Sequence, residues 1–157
     1  MTTYKPENDG IDHINVYSKG KTNLGKFLTN FAKTPFELPK DGTFQSIEGY
    51  WYWLLAMDHP HSYVLKDLYG FKAKLVGRSL TNNTDWSDDE DFKNSIKQAI
   101  AAKIQQCSDY QYEMFIDSKL PFTHYYVYGG KVVKVPKSDW IIEFLEGLRK
   151  EHRDYHG

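Results

Sequence analysis

Residues 46–57, SIEGYWYWLLAM, constrain the fold of this chain more than any other stretch. Ser46 is a good helix cap. Ile47, Tyr50, Trp51, Leu54 and Leu55 follow at the i, i+3, i+4, i+7 and i+8 spacing of one helical face. Trp53, Ala56 and Met57 fill much of the remaining circumference, and a helix apolar nearly all round belongs in the interior. One ionisable side chain, Glu48, sits at its head. A fold built round this helix has to accommodate that carboxylate.

The flanking sequence predicts the other elements. Residues 1–12 are polar, with Pro6, Asn8, Asp9 and Gly10, and read as a flexible N-terminal arm. Residues 13–18 predict a first strand and 35–38 a second, with 40–44 a turn. A further helical segment spans 62–78, with an interruption near Gly70. Ser87 and Glu90 match a capping box for a helix carrying Phe92, Ile96, Ala99, Ile100 and Ile104. Another helix is predicted over 108–118. Residues 122–136 predict a hairpin turning at Gly129-Gly130, and Ser138 caps a last helix burying Trp140, Ile141, Phe144, Leu145 and Leu148. Strands towards both ends and helices between them predict an α+β fold, mostly helical with a small sheet. A length of 157 residues fits one domain over 13–157.

Twenty basic against 21 acidic residues leave a net charge of -1, which argues against a broad phosphate-binding footprint. Cys107 is the only cysteine, so an intrachain disulfide and a thiolate-rich metal site are excluded. The first residues lack a signal-peptide profile and no stretch is long and apolar enough to span a membrane. The expected location is the cytoplasm.

Two residues break the pattern around them. Glu48 is either a helix-dipole carboxylate facing water or a desolvated acid with a raised pKa, usable as a general acid or base. Lys103 lies about 20° round the helix from Phe92, within the stripe set by Phe92, Ile96, Ala99 and Ile100. Its ammonium either snorkels to the core edge or faces inward, to bind an anion or act as a nucleophile. Gly77-Arg78 and Trp86 offer a solvated helix end or a phosphate-binding guanidinium and a stacking ring. His59 and His61, separated by Pro60, lack further ligand spacing, so no metal is expected.

The ordered series LTNFAKTPFEL (28–38), GTFQSIEGYWYW (42–53), AKLVGR (73–78), Trp86, Lys103 and IIEFLEGLR (141–149) resembles the NADAR superfamily, which includes the YbiA-like proteins. The resemblance spans roughly residues 24–149 and aligns Glu48 with the family's glutamate. It departs from the family at Gly49 for a histidine, Tyr52 for a glutamine, Leu55 for a lysine and Thr29 for a serine.

The resemblance implies a compact α+β fold and hydrolysis of an N-glycosidic bond. The substrate would be an ADP-ribosylated guanine in a nucleotide or nucleic acid, or a phosphoribosyl-amine metabolite as in riboflavin synthesis. Glu48 and Lys103 would be catalytic, with Asn30, Phe31, Tyr50, Arg78 and Trp86 binding substrate. It implies no cofactor, metal or membrane partner. A non-catalytic ADP-ribose or nucleotide binder is the alternative.

Overall fold

The computed structural model describes residues 3–156. Helices outweigh strands, and the two together make an α+β fold. In chain order the elements are β1 (Ile14–Asn15), α1 (Asn23–Leu28), β2 (Phe36–Leu38), β3 (Gly42–Phe44), α2 (Ile47–Leu55), α3 (Gly70–Leu80) and α4 (Glu90–Gln106). These are followed by α5 (Asp109–Asp117), β4 (Phe122–Thr123), β5 (Tyr125–Tyr128), β6 (Lys131–Lys134) and α6 (Asp139–His156). In place of one small sheet there are three two-stranded pairings: β1 with β4 in parallel, and the antiparallel hairpins β2–β3 and β5–β6. The chain forms two compact units. One comprises the chain up to Thr29 and from Ser108 onward, the other Asn30–Cys107.

In the first unit the described chain ahead of β1 makes hydrogen bonds of its own. Pro6–Asn8 forms a 3-10 turn, and the buried Asp9 carboxylate accepts hydrogen bonds from the amides of Asn15 (2.9 Å) and Lys21 (2.8 Å). A short acid that satisfies two amides fixes the chain where composition alone suggests disorder. Asn15 extends β1 sideways: its amide donates to the Tyr125 carbonyl at 3.1 Å and accepts from the Tyr125 N–H at 3.0 Å. The β5–β6 hairpin turns where expected, with Gly129 and Gly130 at φ 54° and 77°, the left-handed pair that a two-residue turn favours. Helix α6 buries Ile141, Leu145 and Leu148. Its Arg149 and Arg153 donate to carbonyls at the C-terminal end of α5, Ser118 O and Ile116 O, which lack partners within the helix.

The second unit is organised round α2. Ser46 caps it as expected, accepting from the Gly49 amide at 2.9 Å and donating to the Leu68 carbonyl at 2.8 Å. Ile47, Gly49, Tyr50, Trp51 and Tyr52 are buried, but Leu54 and Leu55 are half-exposed and Met57 is exposed. The helix is therefore central at its head and emerges at its tail. Phe36 and Phe44, paired across β2–β3, pack against Tyr50. On α4, Phe92 meets the Trp51 ring edge-on at 4.9 Å.

Three local expectations change. Residues 40–44 do not end in a turn, because Gly42–Phe44 continues as β3. The segment 62–78 is a 3-10 turn (Ser62–Asp67) followed by α3, broken at 68–69. Helix α4 is capped by Asp89, whose carboxylate accepts from the Asp91 amide at 3.0 Å, while Ser87 accepts from the Asp89 amide. The acid wins the cap because it also complements the helix dipole. A reciprocal capping box does occur, at Ser108 and Gln111 of α5.

Two glycines permit the crowding round α2. A Cβ on Gly49 would lie 2.5 Å from the Leu65 carbonyl oxygen, and one on Gly77 only 2.1 Å from the buried Tyr52 ring. The α3 backbone at Gly77 therefore packs directly on the Tyr52 side chain of α2, and the α2 backbone at Gly49 on the Leu65 carbonyl, at distances that no larger residue allows. Gly77→Ala is expected to destabilise the protein by about 2 kcal/mol despite the better helix propensity of alanine. An unchanged urea midpoint would show that Tyr52 can move aside and that the contact is not a constraint.

Candidate functional site

All seven candidate residues fall within the unit Asn30–Cys107. Glu48 is half-buried in the first turn of α2, and its own N–H donates to the Asn30 carbonyl at 2.8 Å. The neighbouring Phe31 carbonyl accepts from Gly70 N at 2.9 Å, at the start of α3. One two-residue segment thus joins the N-terminal ends of α2 and α3 and fixes where Glu48 stands relative to α3.

Burial pushes the Glu48 carboxyl up to about 7, Lys74 pulls it back down, and Asp85 pushes it up further. The raised value reflects desolvation that the single lysine only partly offsets. Lys74 is half-buried on α3, one turn before the half-exposed Arg78, so both cations lie along the same side of that helix. Asp85 reaches the site through its backbone as well, since its carbonyl accepts from Trp51 Nε1 at 3.0 Å. The Trp51 ring lies 5.5 Å from that of Trp86, whose Nε1 donates to Asp88 at 2.8 Å.

The structure therefore brings Asn30, Glu48, Lys74 and Asp85 together, with Phe31 at the joint, Trp86 beside Trp51, and Arg78 one turn along α3. Lys74 and Asp85 were not among the candidates. The spacing of Lys74 and Arg78 within AKLVGR was the available signal, because i and i+4 share a helix face. Asp85, an exposed acid, carried no signal, since nothing in a polar loop indicates which acid lies near Glu48.

Tyr50 is not part of this group. It lies about 200° round α2 from Glu48, on the opposite side. Its hydroxyl donates to Asp41 at 2.8 Å and its ring packs between Phe36, Phe44 and Trp53. Burial, followed by the Asp41 hydrogen bond, raises its pKa further above the ordinary tyrosine value. Its role in the fold is packing, and the structure does not bring it to the side of α2 that carries Glu48.

Lys103 does not snorkel. It is among the fully buried side chains of the protein, in a run of α4 that also buries Ala99, Ile100, Ala102 and Ile104. Desolvation lowers its pKa to about 7, partly opposed by Cys107 one turn further on. It is thus an amine that loses its charge near neutrality. The groups that set its charge and that of Glu48 are different ones: Cys107 for the lysine, Lys74 and Asp85 for the glutamate.

The loop histidines interact with each other, His61 N donating to His59 Nδ1 at 3.0 Å. Among the described residues, no group of three or more His, Cys, Asp or Glu is arranged to hold a metal ion, and no helix is long and apolar enough to cross a membrane. Compared with protein-family models, with curated proteins and with solved structures, the chain matches none of them.

The two perturbed groups have opposite effects on stability. Between about pH 4.5 and 7 the folded protein keeps a proton on Glu48 that the unfolded chain has lost, so stability falls as pH rises, by up to about 3 kcal/mol. Between about 7 and 10.5 the unfolded chain holds a proton on Lys103 that the folded protein lacks, so stability rises. Together they place a trough near pH 7. Urea midpoints measured across this range are expected to lose the falling limb in Glu48→Gln and the rising limb in Lys103→Met. Parallel profiles for wild type and both variants would mean that neither group is perturbed.

Proposed function

We propose that this protein is a NADAR-type N-glycoside hydrolase, with a YbiA-like α+β fold, that releases ADP-ribose from a modified guanine. The observation that carries the reading is the half-buried Glu48 at the head of α2, flanked by Lys74 and Asp85 and lifted to about 7. An acid of that strength is about half protonated at neutrality, where an ordinary glutamate is almost fully ionised, and can donate to a departing base. The resemblance of residues 24–149 supplies the substrate class, and Lys74 with Arg78 provides cations suited to a diphosphate.

In the proposed reaction the bond between ribose C1′ and the base nitrogen breaks as Glu48 transfers its proton to that nitrogen. Water adds its oxygen to C1′, and the proton it releases returns to Glu48. Positive charge develops on the ribose as the base leaves, and a newly ionised Glu48 stabilises it. Trp86, paired with Trp51, offers an indole face to the base.

A second reading, non-catalytic binding of ADP-ribose or a similar nucleotide, is favoured by Gly49. A side chain there would strike the Leu65 carbonyl, so the histidine of the family pattern has no room.

Incubation with an oligonucleotide carrying ADP-ribosylated guanine, with free ADP-ribose as the readout, separates the two. Glu48→Gln is expected to slow release at least about 100-fold, and the wild-type rate to fall as pH rises through about 7. Equal release by wild type and variant would overturn the role of Glu48. Stabilisation by ADP-ribose without turnover of either the guanine adduct or a phosphoribosyl-amine would establish the binder.

A further inference from the structure

We propose that the outward face of α3 is a docking strip for single-stranded nucleic acid, holding the nucleotides that flank the modified base. The inference rests on the glycosidase reading and narrows its substrate from a free nucleotide to a base within a strand.

Helix α3 turns Ala73 and Gly77 inward, and on the opposite side it exposes Phe71 (62%) and Leu75 (55%) one turn apart. Tyr69, the residue just before the helix, is also half in solvent, and Lys33 Nζ stands 5.4 Å from its ring centre. Lys74 and Arg78 border the Phe71–Leu75 stripe on one side and Lys72 on the other, by the 100° step of the helix. No acid lies within Gly70–Leu80; in sequence the nearest, Asp67 and Asp85, stand outside its two ends, and Glu48 adjoins only the Lys74 border.

Exposed rings interleaved with cations, on a protein whose overall charge is -1, form a local surface complementary to a polyanion with stackable faces. A single strand matches both properties, with bases on Tyr69 and Phe71 and phosphates on Lys33 and Lys72. The Lys74 border leads directly to Glu48, whose charge it influences. A lipid surface fits less well. An interfacial helix needs a broad apolar face, and α3 presents Phe71 and Leu75 alone, with an acid beyond each end.

The test is a fluorescence-anisotropy titration of the full chain with a labelled, unmodified single strand of about 12 nucleotides at several salt concentrations. Wild type is expected to bind with an affinity that falls with salt. Phe71→Ala should bind at least about fivefold more weakly, the loss of one stacked base, with the salt slope unchanged. Lys72→Ala should lower that slope by about 0.7, one phosphate contact. Leu75→Ser repeats the test on the same strip should Phe71→Ala unfold.

No binding by wild type, or equal binding by the stripe variants, overturns the strip. So does co-sedimentation with phosphatidylserine vesicles that Phe71→Ala abolishes while strand binding persists. Because the strand carries no ADP-ribose, the titration does not depend on turnover. Strand binding without glycosidase activity overturns only the catalytic reading. Release from a free ADP-ribosylated nucleotide without strand binding overturns only the strip.

Discussion

The contact between Gly77 of α3 and the Tyr52 ring of α2 is the constraint on which the rest of the candidate site depends. It lets the two helices approach until a Cβ would lie within 2.1 Å of the ring. That approach brings Lys74, three residues before Gly77, within electrostatic reach of Glu48. On the same face, one turn earlier, Gly49 meets the Leu65 carbonyl, where a Cβ would lie 2.5 Å from the oxygen, so one side of α2 packs closely on both α3 and the 3-10 turn that precedes it.

The unit Asn30–Cys107 gives up stability to hold two ionisable groups where water is scarce. Burial alone raises the glutamate and lowers the lysine, each to about 7, and neither gains enough from its neighbours to reverse the effect. A fold selected for stability alone would place leucine or methionine at both positions. Retaining an acid and an amine that both change charge near neutrality is what proton transfer or nucleophilic chemistry requires.

Much of this was legible in the sequence. The periodicity of residues 47–55 identified the central helix, Ser46 its cap, and Gly129-Gly130 the hairpin turn, because each depends on interactions within a few residues. The inward position of Lys103 was legible for the same reason. Its depth was not, since snorkelling and full burial share one helical angle and differ only in what covers the end of the side chain. The Asp9 clamp, the Asp89 cap and the division into two units depend on which amides and acids meet in space. Tyr50 shows the converse: it stands two residues from Glu48 in sequence, yet helical geometry sends it to the opposite side, against Asp41.

The sequence by itself determined the α+β composition, the central helix with Glu48 at its head and the lysine on the wrong face of α4, because backbone periodicity and local capping carry that information. The tertiary structure alone decided which groups act together. It selected Lys74 and Asp85 as the neighbours of Glu48, paired Trp86 with Trp51, and left Phe71 and Leu75 facing solvent. Coulomb interaction and desolvation follow distance in space, and residues 48, 74 and 85 become neighbours only once α2 and α3 have closed on Gly77.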